Sequence, residues 1–245
     1  MFKDGVKIEQ KTVRSFLLIG QSNMAGRGII GEVPPVKNAN CYMLRMGRWQ
    51  TMREPINTDR AIFEGKYRSG VCLATSFADA LERESGEAVG LIPCADGGTR
   101  IDKWMPGEVL YDHALLMARL AMRTSHLSGI LWHQGESDCK SDASAFAHKE
   151  KFFQMITSLR RELGAEQLPL LIGELCEDLP AVWGLDERPK QVNRQYHELA
   201  RELPVCGVVS AKGLALSGDD LHFSAASLRE FGLRYLDVYK SLIHQ

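Results

Sequence analysis

The sequence has no Cys-x-x-Cys pair, no Asn-x-Ser/Thr sequon and no apolar stretch approaching the roughly 18 to 20 residues of a membrane helix. It also has no excess of charge. Thirty Lys and Arg against 31 Asp and Glu leave a formal charge of −1 over 245 residues. That balance offers no electropositive face for a nucleic acid backbone or an anionic membrane. The opening MFKDGVKIEQKTVRS is polar and lacks the apolar core of a signal peptide, so the expectation is a cytoplasmic protein. Cys41, Cys72, Cys94, Cys139, Cys176 and Cys206 stand singly, most of them inside apolar segments, which favours reduced, buried thiols over disulfides.

Several sequence signatures are missing as well. No G-x-G-x-x-G follows a strand, and EGKYRS lacks the spacing of a phosphate-binding loop, which excludes the dinucleotide and nucleotide enzymes. Met24 stands where a G-x-S-x-G elbow needs its second glycine, so the ordinary α/β-hydrolase signature fails. His133 and Glu136 have an H-x-x-E spacing but no HExxH helix and no clustered third ligand, so no metal site is expected. Neither a metal nor an organic cofactor is called for.

What the chain does have is alternation. Apolar runs rich in β-branched residues, Phe16 to Ile19, Cys41 to Leu44, Ala88 to Pro93, Gly129 to His133, Leu168 to Gly173 and Val205 to Ser210, read as strands. Between them lie segments of helical period: Val71 to Arg83, Asp112 to Arg123, Asp142 to Gly164, Pro189 to Arg201 and Ala225 to Ile243. In the third of these, Phe146, Phe152, Phe153, Ile156, Leu159 and Leu163 form the expected buried stripe. Strands that are apolar throughout are covered on both faces. The expectation is a three-layer α/β/α sandwich with a mostly parallel sheet of five or six strands, in a single domain over residues 1–245 with its core at about 14–243. Gly47 to Ser69 and Asp96 to Val109 are expected as long loops.

Ligands of open α/β sheets bind beyond the carboxyl ends of the strands. Four polar clusters fall there: GQSN, CADGGTRIDKW, HQGESD and GDDLHFS. Acyl transfer by a serine needs a hydroxyl, an imidazole to take its proton, a carboxylate to orient the ring, and donors for the oxyanion. Ser22 at the turn after the first strand supplies the hydroxyl, and His222 the base. Asp219, three residues before the histidine, is the favoured carboxylate over Asp220. Each residue alone also fits a structural role, Ser22 as a turn or cap and Gly97 and Gly98 as turn glycines. Trp132 reads as core.

Taken together, IGQSNMAGRG around Ser22, ADGGT at 95–99, WHQGESD at 132–138 and DDLHFS at 219–224 resemble the SGNH-hydrolase superfamily. The likeness is to its carbohydrate-esterase branch, which includes sialate O-acetylesterases and acetylxylan esterases. It implies a flavodoxin-like fold and hydrolysis of acetyl esters on sugars. By position, Ser22, Asp219 and His222 become the triad. The oxyanion hole then combines the N–H of Ser22, the N–H of Gly97 or Gly98, and the amide of Gln134. The chain departs from the superfamily's commoner Gly-Asp-Ser-Leu first block and from its third-block asparagine.

Gln21 and Glu136 are candidates to support the site; Glu136 is open to holding His133, the triad or only its own loop. Arg100 is a candidate for a substrate carboxylate or for pairing with Asp96 or Asp102. For the sugar, Arg27, Arg100 or an arginine between Arg45 and Arg68 would suit a sialic acid, whereas Trp104 or Trp49 would suit a xylo-oligosaccharide as a stacking platform. An acetylated carbohydrate is thus the expected partner. A lipase-like or thioester hydrolase and a non-catalytic sugar-binding domain are the alternatives.

Overall fold

The computed structural model describes residues 2–3, 6–7, 13–57, 69–177, 179 and 183–244. In chain order these form β1 Phe2–Lys3, β2 Val6–Lys7, β3 Val13–Gly20, α1 Ser22–Ala25, β4 Cys41–Arg45, β5 Arg48–Thr51, α2 Leu73–Ser85 and β6 Ala88–Pro93. There follow α3 Val109–Ala121, β7 His126–His133, α4 Asp142–Glu162, β8 Leu170–Gly173, α5 Arg188–Glu202, β9 Cys206–Val209 and α6 Ala225–Ile243. Strands β1 and β2 make a small antiparallel ribbon. The main sheet has seven strands in the order β5-β4-β6-β3-β7-β8-β9, parallel except for β5 against β4.

All six expected strands are present, and β5 is a seventh. It lies where a loop was expected, because its RWQT is short and polar and because the β4–β5 turn is unusual. Met46 (φ 51°) and Gly47 (φ 72°) both sit in the left-handed region that a two-residue hairpin turn requires. Methionine is not a turn residue of that kind, so no sequence signal marks the hairpin. The stretch 58–68 of the same expected loop lies outside the described residues.

Alternation along the central strand sets the layers. Leu17 and Ile19 face one cluster, with Ala114 and Ala118 of α3, Phe152 and Ile156 of α4, and Val192 and Tyr196 of α5. Phe16 and Leu18 face the other, with Phe77 of α2 and Phe231 and Tyr235 of α6. The sheet is thus covered on both faces, as strands without polar alternation demand. On α4 the buried stripe is Ala145, His148, Phe152, Met155, Ile156 and Leu159. Phe146 (79% exposed) and Phe153 (40%) fall outside it, correcting the expected stripe: each lies one position past a buried residue, about 100° around the helix. Trp132 is buried, edge-on to Trp104 and Phe152. All six cysteines are free thiols; burial pushes Cys72 up to about 11 and Cys41 and Cys206 up to about 12. No helix among the described residues is long and apolar enough to cross a membrane.

Strand β3 lies between β6 and β7, so the chain passes from one side of it to the other. This is the switch point at which open sheets form their crevice. The helices that close the far face meet at Gly232 of α6, where a Cβ would stand 2.0 Å from the Leu73 carbonyl oxygen of α2 and 2.2 Å from Ser76 Oγ. Glycine to alanine inside a helix ordinarily gains about 1 kcal/mol. Here the sign reverses: Gly232→Ala should lower the urea midpoint, at a cost of about 1–3 kcal/mol from overpacking.

Candidate active site

Ser22 opens α1, a single turn directly after β3. The chain turns there because Gly20 adopts φ 131° and lies against β7, where a Cβ would stand 2.1 Å from the His133 carbonyl oxygen. The next residue, Gln21, donates its N–H to that same carbonyl (2.8 Å). The turn ends at Gly26 because the chain then runs against Val71, bridging through Gly28. Ser22 thus stands at the turn after its strand, in a helix only one turn long.

His222 belongs to the loop before α6. Backbone bonds from Ser217 N–H to His222 O (2.6 Å) and from Ser224 N–H to Ala215 O (3.0 Å) close that loop on itself. Ser224 then caps α6 by accepting the Ser227 N–H. Within the loop, Asp219 Oδ1 accepts from Ser217 Oγ (2.7 Å), Leu221 N–H (3.1 Å) and His222 N–H (2.9 Å). Its other oxygen meets His222 Nδ1 at 2.6 Å. On the far side of the ring, Nε2 lies 2.8 Å from Ser22 Oγ. Asp220 has φ 56° and borders a different cavity, so the turn that aims Asp219 at the ring aims its neighbour away.

Burial by itself would raise the Asp219 carboxyl, but the bonds from the His222 ring, the His222 N–H, Ser217 and Leu221 outweigh it and hold the group well below the usual carboxylate range. It is therefore ionised at neutral pH and keeps Nδ1 protonated, leaving Nε2 free to accept from Ser22. The imidazole is buried (6% exposed), as is Ser22 (5%).

The Asn23 amide joins three loops. Its nitrogen donates to Glu136 Oε1 (2.7 Å) and its oxygen accepts the Phe223 N–H (3.1 Å). Glu136 lies 3.8 Å from His133 Nδ1, borders the cavity beside Ser22, and holds the turn of Ser22 through Asn23. Sequence reading missed Asn23: an amide after a serine carries no signal until its partners, 113 and 200 residues away, are known.

The cavity has a volume of about 200 Å³, and Ser22, Gln21, Gly98, Glu136 and His222 border it. So do Arg27, Lys140, Trp183, Leu185 and Leu221. Of the two candidate glycines, Gly98 reaches the cavity and Gly97 does not. Neither the Ser22 nor the Gly98 N–H has a backbone acceptor among the described residues.

Other sequence candidates are placed elsewhere. Gln134 does not reach the cavity; it is fully buried, and its amide nitrogen donates to Thr99 O (2.9 Å) and Asp138 Oδ2 (2.5 Å). Both amide hydrogens are thereby used, which corrects its assignment to the oxyanion. Arg100 pairs with Asp102 on the surface and does not border the cavity. Trp104 is buried in the core, and Trp49 lies on edge strand β5 with its indole N–H on Thr124 Oγ1 (3.1 Å), so neither offers a face to a sugar at this site. Of the arginines between Arg45 and Arg68, Arg45 donates to the Pro55 carbonyl (3.0 Å), while Arg60 and Arg68 lie outside the described residues. Trp183 and Lys140 were not anticipated, since both sit in loops of no recognisable pattern. Among the described residues no group of three His, Cys, Asp or Glu side chains is disposed to hold a metal ion.

A family model described as carbohydrate esterase, sialic acid-specific acetylesterase, matches residues 12–241. A probable carbohydrate esterase of Arabidopsis thaliana is 29% identical, over 92% of this chain and 90% of its own length. A crystal structure of an Arabidopsis thaliana protein superposes with a TM-score of 0.82 at 28% identity, covering 94% of this chain and 98% of that one. The crystal structure of NanS gives a TM-score of 0.75 at 15% identity, covering 97% and 99% of the two chains. A carbohydrate acetylesterase from Xanthomonas citri gives 0.63 at 20% identity, covering 94% of this chain and 56% of that one. These last two are likenesses of fold.

The depressed Asp219 carboxyl has a consequence for stability. A carboxyl whose folded value lies below its unfolded value of about 3.9 favours the native state above that pH, and the contribution fades as pH falls through the folded value. The Tm advantage of the parent over Asp219→Asn should therefore be present at pH 5 and shrink below about pH 4, as thermal melts across that range would show.

Proposed function

The chain belongs to the carbohydrate esterase, sialic acid-specific acetylesterase, family, and from that premise we propose that it is a serine esterase that removes acetyl groups from a carbohydrate. The observation that carries this reading is the unbroken line from Asp219 through His222 to Ser22, opening on a cavity. Ser22 Oγ attacks the ester carbonyl carbon as His222 Nε2 takes its proton. The carbonyl oxygen becomes an oxyanion and accepts from the N–H groups of Ser22 and Gly98. The tetrahedral intermediate collapses to an acetyl-serine, and His222 returns the proton to the departing sugar oxygen. A water then attacks the acetyl carbon, giving its proton to His222, and acetate leaves as Ser22 recovers its hydrogen.

The cavity's 200 Å³ accommodates an acetyl group with part of its sugar, being below the roughly 300–1,000 Å³ of pockets for drug-sized ligands. That size argues against a long acyl chain, and hence against the lipase-like alternative. An acidic sugar suits the outer lining: Lys140 supplies a cation for a carboxylate, and the partly exposed Trp183 (39%) offers an apolar face to a pyranose ring. An O-acetylated sialic acid fits this combination better than a neutral xylo-oligosaccharide.

Acetate release from O-acetylated sialic acid and from acetylated xylo-oligosaccharides tests the reading. Ser22→Ala should lose about 10⁴-fold or more of kcat while staying folded, and turnover retained in that variant would sink the assignment. Asp219→Ala should cost about 10⁴-fold and Asp220→Ala less than about threefold. Lys140→Ala should raise KM for the sialic acid ester and leave the xylo-oligosaccharide unaffected.

A further inference from the structure

Helix α3 is apolar on every side. Its residues Val109–Ala121 read VLYDHALLMARLA, in which only Tyr111, Asp112, His113 and Arg119 are polar. The inward side is covered, since Tyr111, Ala114, Leu115, Ala118 and Ala121 are buried. The outward side is not: Val109 is 79% exposed and Leu116 64%, with half-buried Leu120 beside them. A surface helix ordinarily turns a polar face to water, and one that is apolar all round is a covered helix. The apolar area also continues beyond α3. Met46, 90% exposed at the β4–β5 turn, borders a groove of about 370 Å³ together with Leu110, His113 and Met117. A Cβ on the adjoining Gly47 would stand 3.3 Å from Leu120 Cδ2.

The charges indicate what covers this face. Helical geometry puts Val109 about 20° from Leu116 at the centre, Asp112 and Arg119 about 40° and 60° round on one flank, and His113 and Leu120 on the other. Along the axis Asp112 stands about 6 Å to one side of Leu116, and Arg119 about 4.5 Å to the other. A two-fold axis running between two copies of α3 at the level of Leu116 reverses their direction and brings like flank to like flank. It sets Asp112 of each copy beside Arg119 of the other, with Leu116 against Leu116 between the two ion pairs. Arg119 gives Nη2 to the Glu162 carbonyl oxygen (2.8 Å), and a guanidinium has further N–H donors for a carboxylate. Acid at the start of a helix and base at its end also suit the dipole of a single helix, so the charges carry the pairing only together with the uncovered apolar strip between them. We propose that the outer face of α3, with the hairpin tip at Met46, is a surface on which two copies of this chain associate, their α3 helices antiparallel about Leu116. A helix of 13 residues is about 20 Å long, so the contact falls at the small end of specific interfaces and the dimer is a micromolar one. Neither α3 nor Met46 borders the cavity beside Ser22, so this pairing stands or falls independently of the esterase reading.

Sedimentation velocity over about 1 to 200 µM tests it, and the parent should pass from monomer to dimer within that range. Leu116→Glu sets two carboxylates against each other at the axis and should weaken association by about tenfold or more. Asp112→Arg and Arg119→Asp should each do the same, because each creates two like-charged pairs. An equimolar mixture of those two variants should associate about as tightly as the parent, since both cross-pairs are then of opposite sign. All three positions are exposed, and thermal melts should show the variants folded. Phe146→Ala alters the exposed face of α4 instead and should leave the dimer unchanged. The proposal is overturned if the parent remains a monomer at about 200 µM, or if Leu116→Glu associates like the parent. It is equally overturned if mixing the two charge variants restores nothing, or if Phe146→Ala is the change that abolishes the dimer.

Discussion

A primary amide carries an acceptor oxygen and a donor nitrogen on one rigid plane, and Asn23 uses both to bind together loops that the sheet alone would leave independent. The nitrogen reaches Glu136 on the loop after β7, and the oxygen reaches the backbone beside His222. Because Asn23 adjoins Ser22, both loops are tied to the turn that carries Ser22. The same contact ties the turn of Ser22 to the loop of His222, whose Nε2 lies 2.8 Å from Ser22 Oγ. It also gives Glu136 a partner for one oxygen; the other is buried without one, and the nearby His133 ring is held against protonation by burial. Gly20 makes the arrangement possible, since only a residue without a side chain turns so closely over the His133 carbonyl.

Behind the site lies a second buried set of polar groups. Asp138 and His148 are fully buried; His148 Nε2 meets the Tyr196 hydroxyl (2.9 Å), which donates to Gln134 O (2.5 Å) and accepts from Trp132 Nε1 (3.2 Å). Buried polar groups are costly when unpaired and rigid when satisfied. Here the satisfied bonds fall on the β7 loop and on the segment bearing Gly98, so rigidity is placed under the proposed oxyanion donors. Phe152 and Trp132 pack around the same groups and keep water away from them.

The electrostatics of the Asp219–His222–Ser22 line follow from one local turn. Four donors converge on Asp219, and that convergence both keeps it ionised and fixes its direction. Asp220 differs by a single position yet enters the left-handed region and leaves the site. The rest of the cavity's border is built differently, from loops of separate origin: Arg27 after α1, Lys140 before α4 and Trp183 before α5. The Asp219–His222–Ser22 line and the rest of the cavity border thus come from different parts of the chain.

Much of this was legible along the chain because it is local or periodic. Apolar runs and helical stripes give six of the seven sheet strands and the five long helices, since covering both faces of a sheet leaves a direct mark on composition. Ser22 after its strand, and Asp219 three residues before His222, are likewise short-range patterns. Other features have no local mark. The β5 hairpin turns on a methionine with positive φ, and Phe146 and Phe153 are as apolar as the core residues beside them. Gln134 and Gln21 are the same amide in two loops, and only distances between distant segments decide that one braces Asp138 while the other opens on the cavity. The sequence by itself determined the layers and the order in which the polar clusters meet one sheet edge, because periodicity and turn chemistry act over a few residues. Tertiary structure alone decided which side chains face the cavity, because that depends on hydrogen-bond partners a hundred or more residues away.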